Sequence, residues 1–334
     1  MSIIPKSQAL FVGHQKIESN VLEQINNGRP HHAYVLAGPS GVGKATFAFR
    51  VAKYILSGAN DQSSMDVDHN LPVISRIISG GHGDLCYIEP DATKETSIIG
   101  IDQIRQVSKF FSQKSMEGGY RIAIIDGQLN RNSANALLKI LEEPPEKAMI
   151  FLITDSFGKL LPTIRSRCQA LKFSHLSLDE TKTVLNSLQL DKDISAVALA
   201  SNGSPGKALW LMEFGGIETY SQFLATISAA KDDNLQKIND FCLAHSSKSG
   251  ESGNTFIAIG QMFLDLIYRY TNGEVNDSDV TLFNAMSKTG SLSEWADTWH
   301  EINQLFKQAI DSHLDKYQIL VTCFTKFSPK YKSN

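Results

Sequence analysis

Five short, unbroken apolar runs constrain the fold of this chain more than any other feature. They are Ala33-Tyr34-Val35-Leu36-Ala37, Leu85-Cys86-Tyr87-Ile88, Ile122-Ala123-Ile124-Ile125, Met149-Ile150-Phe151-Leu152-Ile153 and the weaker Ala170-Leu171-Lys172-Phe173. Successive side chains of a strand point to opposite faces, so a strand without polar alternation must be covered on both. Helical patterns lie between the runs. Ile101, Ile104, Val107 and Phe111 share one face, and Ala134, Leu137, Leu138 and Leu141 another, stopped by Pro144-Pro145. This alternation predicts an α/β domain on a five-stranded parallel sheet.

After residue 175 the strand signals stop. Ser177-Leu178-Asp179-Glu180 reads as a capping box that opens a helix, and Ile194 to Ala200 and Pro205 to Met212 as two more short helices. Gly215-Gly216 marks a break. Beyond it the pattern is helical, through Phe256, Ile259 and Phe263 and then Trp295, Trp299 and Ile302; the two tryptophans share a face and read as bundle core. The Ser- and Gly-rich stretch Ser246 to Asn254 is expected to be an exposed loop. The expected layout is an α/β domain over 1–175, a small helical domain over 176–214 and an all-α domain over 215–334.

A chain of 334 residues can bury a large core without metal or disulfide staples. Its net charge of -3 excludes a globally basic nucleic-acid coat. The longest apolar run, Ala148 to Ile153, is far short of the ~20 residues of a membrane helix, so a cytoplasmic chain with no membrane partner is expected. Cys86, Cys168, Cys242 and Cys323 are widely separated, which argues against a zinc or disulfide framework. His31 and His32, as neighbours on a strand, would face opposite sides, so no shared metal site is expected.

The sharpest chemical signal is Gly38-Pro39-Ser40-Gly41-Val42-Gly43-Lys44-Ala45, set between the first apolar run and a helix start. Gly38, Gly41 and Gly43 allow backbone N–H groups to turn toward a phosphate, the helix start adds positive potential, and Lys44 supplies a charge. Two parts of a hydrolytic site are missing. The position whose hydroxyl would hold Mg²⁺ is Ala45; Thr46 comes one residue late, about 100° around the helix. Asp126 stands where a metal-binding carboxylate belongs, but Gly127 replaces the glutamate that would orient water. Two readings of the loop stay open: a site holding ATP or ADP without hydrolysis, and a glycine turn kept as scaffold.

Downstream, Asn135-Ala136-Leu137-Leu138-Lys139-Ile140-Leu141-Glu142-Glu143-Pro144-Pro145 and Leu160-Leu161-Pro162-Thr163-Ile164-Arg165-Ser166-Arg167-Cys168-Gln169 resemble the NALLKxLEEPP and LLPTIxSRCQ segments of bacterial DNA polymerase III clamp-loader subunits, a branch of the AAA+ P-loop proteins. Gly203-Ser204-Pro205-Gly206-Lys207-Ala208 is similar to their sensor 2 segment, and Gly28-Arg29-Pro30-His31-His32-Ala33-Tyr34 to the approach to their first strand. These matches run in order through about the first 215 residues.

The resemblance implies an AAA+ P-loop domain, a helical lid and a C-terminal helical collar that joins delta, gamma/tau and delta-prime subunits in a hetero-pentamer. The degraded loop is more similar to the delta-prime type; the alternative is a gamma/tau-like ATPase with Thr46 in the metal role. Many relatives carry a four-cysteine zinc module after the loop helix. Residues 57–84 hold no cysteine, so no zinc is expected, as in alphaproteobacterial delta-prime chains. By charge pattern alone Arg165 and Arg167 are solvated surface; the resemblance makes Arg167 an arginine finger for ATP held by a neighbour. It also makes Thr154 the sensor 1 polar residue and sets Lys207 in place of the sensor 2 arginine. The implied role is to support ATP-dependent loading of the sliding clamp onto primed DNA in replication, without hydrolysis by this chain, within a DNA-directed DNA polymerase holoenzyme. Contacts to DNA phosphates carry no motif, so Lys109, Lys114, Arg131 and Lys139 are candidates only as basic residues near the central helices, with solvated surface the favoured reading.

Overall fold

The computed structural model describes residues 5–90, 98–188, 194–213, 216–246, 250–273, 280–312 and 314–328. A 3₁₀ turn at Pro5–Ser7 leads to α1 (Gln15–Asn26), β1 (Ala33–Ala37), α2 (Lys44–Leu56) and α3 (Pro72–Ser79). β2 (Leu85–Ile88), β3 (Ile98–Ile99), α4 (Ile101–Phe111), β4 (Arg121–Asp126) and β5 (Gln128–Leu129) follow. Next come α5 (Arg131–Glu142), β6 (Ala148–Thr154), α6 (Pro162–Arg165) and β7 (Gln169–Lys172). Every later described element is a helix: α7 (Leu178–Ser187), α8 (Ile194–Ala200), α9 (Pro205–Glu213), α10 (Gly216–Lys231), α11 (Leu235–His245), α12 (Gly250–Asn272), α13 (Val280–Thr289), α14 (Leu292–Ser312) and α15 (Lys316–Thr325).

The five principal strands form one parallel sheet in the order β2-β4-β6-β1-β7, as the apolar runs predict. β4 and β6 each extend one residue beyond their runs at both ends. The small β3-β5 ribbon has no sequence signal of its own. The chain leaves β1 for the far edge of the sheet, and from β6 it passes β1 to reach β7. Such a reversal opens a crevice at the carboxyl ends of the strands. Both faces of β1 are buried. Tyr34 and Leu36 pack with Phe47, Phe49 and Phe151 on one side; Ala33, Val35 and Ala37 join Ile104, Leu137 and Leu152 on the other. Each large side chain so buried contributes about 1.5–3 kcal/mol.

Local chemistry explains the boundaries. Asn130 caps α5, its side chain accepting from the Ser133 N–H. Ser177 and Glu180 form the expected capping box: the Glu180 N–H donates to the serine hydroxyl, and the Ser177 N–H to the Glu180 carboxylate. Two expectations need correction. α12 begins at Gly250, so residues 250–254 are helical and not loop, while 247–249 lie outside the described residues. Extending a helix adds a hydrogen bond per residue, and the strong apolar stripe behind Gly250 outweighs the poor propensity of its first turn. His31 and His32 do not face opposite sides. Their rings stack at 4.6 Å, because both precede β1, which starts at Ala33. Of the expected break at Gly215-Gly216, residue 215 lies outside the described residues and Gly216 opens α10.

The chain divides into two compact units, Met1–Leu209 and Trp210–Asn334. In this division residues 176–209 group with the sheet. The second unit has an aromatic core in which Phe223, Phe263, Trp295 and Phe324 are buried. Trp295 donates its indole N–H to the Met286 carbonyl, and Trp299 is half-buried one turn on. Buried Arg269 pairs with Asp265 at 3.2 Å and donates to the Tyr220 hydroxyl at 3.1 Å. No described helix is long and apolar enough to cross a membrane.

Candidate functional site

The glycine loop joins β1 to α2 at the crevice. Gly38 is required by close approach: a Cβ there would lie 2.3 Å from the Phe173 carbonyl oxygen, at the end of β7. Gly41 and Gly43 have φ of +76° and +103°, in the left-handed region that only glycine enters at no cost. The first N–H of α2 with an intrahelical acceptor is that of Phe47, on the Gly43 carbonyl. The N–H groups of Lys44, Ala45 and Thr46 before it are the open donors that every helix start presents, suited to an anion.

Lys44 is only 5% exposed, and its charge is already engaged. The ammonium donates to the carbonyls of Gly38 and Pro39 and, at 2.8 Å, to the carboxylate of Asp155 just past β6. An ammonium has three donors, so all are committed within the chain. Asp155 itself is 57% exposed.

A cavity of about 350 Å³ opens beside the loop. It brings together the predicted residues Gly41, Gly43, Lys44, Thr46, Asp126 and Thr154. Thr46 borders this cavity next to Ala45, despite its late position in the motif. Gly38 braces the loop from behind. Of the predicted sensor 2 segment, Pro205 and Gly206 line the wall and Lys207 does not. Thr154 exchanges contacts with Ser156: its hydroxyl lies 3.2 Å from the Ser156 carbonyl and 3.3 Å from the Ser156 nitrogen. Burial pushes the Asp126 carboxyl up, against the opposing effects of the Tyr87 hydroxyl, 3.3 Å away, and the Lys44 charge. Gly127 has no room for a side chain, since a Cβ would sit 2.9 Å from Cγ of Pro90 and 3.2 Å from Cδ1 of Ile99.

The residues present fit a phosphate better than they fit a hydrolytic metal centre. Open N–H groups and a lysine suit the anion. A methyl group at Ala45 and a sterically closed Gly127 offer neither a metal hydroxyl nor a water-orienting carboxylate. No described cluster of three or more His, Cys, Asp or Glu could hold a metal ion.

Two contributors, the Pro5 to Val12 segment and Asp155, have no sequence signal strong enough to find them, and a third, the Gly203–Gly206 turn, is marked in the sequence but not as a contact of the loop. The segment Pro5 to Val12 supplies one wall of the cavity. It is latched by buried Lys53, whose ammonium donates to the Gln8 carbonyl at 2.8 Å and whose pKa burial pulls down to about 8. Asp155 pairs with Lys44 from 111 positions away. The Gly203–Gly206 turn docks onto the loop: the Gly206 N–H donates to the Gly41 carbonyl at 2.9 Å and the Ser204 hydroxyl to the Ser40 carbonyl at 2.8 Å. Glycine at 41 and 206 is what permits this approach, as a Cβ on Gly206 would fall 2.7 Å from Cα of Gly41.

Arg167 lies outside the cavity. Its side chain is 36% exposed, and its guanidinium pairs with Glu142 at the end of α5 at 3.0 Å and donates to the Thr163 carbonyl at 2.9 Å. Lys109, Lys114, Arg131 and Lys139 are exposed.

The profile of the family described as "DNA polymerase III, delta subunit" matches residues 13–177. The DNA polymerase III subunit delta' of Bacillus subtilis is 35% identical over 173 residues, 51% of this chain and 49% of that protein. The DNA polymerase III subunit gamma of Buchnera aphidicola from Acyrthosiphon pisum is 30% identical over 215 residues, 61% of this chain and 57% of that protein. The chain thus spans about half the length of these relatives. A solved gamma subunit-related protein of DNA polymerase III from Thermotoga maritima aligns over 92% of this chain and 99% of its own, at 17% identity and a TM-score of 0.45. Residues 13–177, with their glycine loop and parallel sheet, thus carry the likeness of this chain to the DNA polymerase III delta-subunit family.

Proposed function

We propose that the chain is the delta-prime-like subunit of a DNA polymerase III clamp loader. In this role it joins delta and gamma/tau subunits in a hetero-pentamer and supports ATP-dependent loading of the sliding clamp onto primed DNA. It does not hydrolyse ATP itself. The observation that carries this reading is Lys44, held by Asp155 and two loop carbonyls in a cavity where Ala45 and Gly127 provide none of the missing hydrolytic groups. For Lys44 to meet the phosphates of ATP or ADP it must release Asp155 or one of the two loop carbonyls, so binding and hydrolysis are separate questions for this site.

Arg167 supplies the chain's contribution to hydrolysis next door. A guanidinium stays charged at any working pH and can grip two oxygens of a γ-phosphate. A finger given in trans is worth about 10³–10⁵ in rate. Its partial exposure leaves it open to such a partner. The gamma/tau-like alternative has one observation in its favour, the position of Thr46 on the cavity wall.

The test is ATP hydrolysis by the isolated chain, and by the reconstituted complex with wild-type chain or Arg167→Ala. The expected results are no turnover by the chain alone and loss of clamp- and DNA-stimulated turnover in the arginine variant. Robust hydrolysis by the chain alone favours the gamma/tau-like reading; full activity of the variant complex removes the finger.

A further inference from the structure

Arg167 is held in place by its own chain. Nη2 lies 3.0 Å from Oε1 of Glu142, and Nη1 donates to the Thr163 carbonyl at 2.9 Å. A guanidinium has five N–H donors in a planar fork. Glu142 and Thr163 take one each, and a long 3.4 Å contact to the Ser166 hydroxyl takes at most a third. The remaining donors suffice for a bidentate grip on an anion. An arginine anchored in this way has already given up the rotamer freedom that a loose one would lose on meeting its target.

Glu142 is an unfavourable choice for its position. It is the last residue of α5, where the open carbonyls and the helix dipole disfavour negative charge. Pro144-Pro145 prevents the helix from continuing and moving that charge inward. A local rule broken without gain to its own element marks a residue serving another purpose. Among the described ion pairs of Glu142, the partner is Arg167. The Glu142 side chain is 49% exposed, so the pair lies at the surface and is not a core brace.

We propose that Glu142 is a positioning residue for Arg167. Its carboxylate and the Thr163 carbonyl lock one edge of the guanidinium, which aims the other edge at the polyphosphate of a nucleotide held by the adjoining subunit. This rests on the trans-arginine reading above.

The test uses the reconstituted complex, with kcat and KM for ATP measured in the presence of clamp and primed DNA. The variants are Arg167→Ala, Glu142→Ala, Glu142→Gln, the Glu142→Ala/Arg167→Ala double and the exposed control Glu146→Ala. Glu142→Ala should lower kcat about two- to fivefold, the range open to a half-exposed ion pair, with KM unchanged. Glu142→Gln keeps an acceptor and should lose less; the control should match wild type. The double variant should be no slower than Arg167→Ala. If Arg167→Ala is slow but Glu142→Ala is as fast as wild type or faster, Glu142 does not position the finger and the finger reading survives. Further loss in the double variant, or a lowered melting temperature of the Glu142 variants as lone chains, makes the effect structural and overturns the inference. Full activity of Arg167→Ala removes both readings.

Discussion

Placing a carboxylate at position 127 is the most direct attempt to restore hydrolysis, and the packing around Gly127 opposes it. A Cβ there would meet Cγ of Pro90 at 2.9 Å, its Cδ at 3.0 Å, and Cδ1 of Ile99 at 3.2 Å. Carbon atoms in ordinary contact sit about 3.5–4.0 Å apart. Relief therefore needs a shift of roughly half an ångström, and neither neighbour is a free side-chain end: Pro90 is a closed ring, and Ile99 is fully buried in the β3-β5 ribbon. Overpacking of this kind costs about 1–3 kcal/mol. For a unit the size of Met1–Leu209, each kcal/mol corresponds to about 2–4 °C in Tm, so a drop of about 2–12 °C is expected. Gly127→Ala carries the clash without the carboxylate, and Gly127→Glu carries both. Both variants should melt lower by similar amounts, and neither should turn over ATP alone, because Ala45 still supplies no metal ligand. Calorimetric melting paired with phosphate release at saturating ATP and Mg²⁺ decides the matter. A Gly127→Glu chain that melts with wild type, or that hydrolyses ATP, refutes the reasoning.

Two further substitutions probe the electrostatics. Asp155→Asn should change stability by no more than about 1 kcal/mol, as its carboxylate is half exposed. It should enlarge the rise in melting temperature caused by ATP or ADP; equal shifts in both proteins would show that Asp155 does not compete with phosphate for Lys44. Asp84 is a second case. Burial acts to raise its pKa, but the N–H groups of Met116 and Glu117, the Ser115 hydroxyl and the Arg121 charge prevail and hold it below the usual range. Such a carboxylate stabilises the fold above its unfolded pKa of about 3.9, and the contribution fades as pH falls through the lower folded value. Asp84→Asn should therefore melt lower at neutral pH and lose less on acidification from about pH 5 to pH 2 than wild type does. Parallel acid limbs in the two melting profiles would count against this account.

The strands were legible because burial on both faces writes itself into consecutive residues: β1 and β2 coincide with their apolar runs residue for residue. The Ser177 capping box was legible because its chemistry closes within three positions. Where the outcome depended on a boundary or a distant stripe, local reading failed. The stacking of His31 on His32 follows from where β1 begins, and the helical start at Gly250 from apolar residues further along α12.

For the site the division is similar. The sequence by itself determined which groups exist: the glycines and Lys44 of the loop, the methyl group at Ala45, the absent glutamate at 127, and an arginine in the Ser166-Arg167-Cys168 segment. Only the tertiary structure decided what those groups do. The pairing of β1 with β6 brings Asp155 to Lys44, Pro90 and Ile99 close the space at Gly127, and the end of α5 delivers Glu142 to Arg167. A charge or a small residue is an intrinsic property of its position. The partner that engages the charge, or fills the space left by the missing side chain, comes from far along the chain and is chosen by packing.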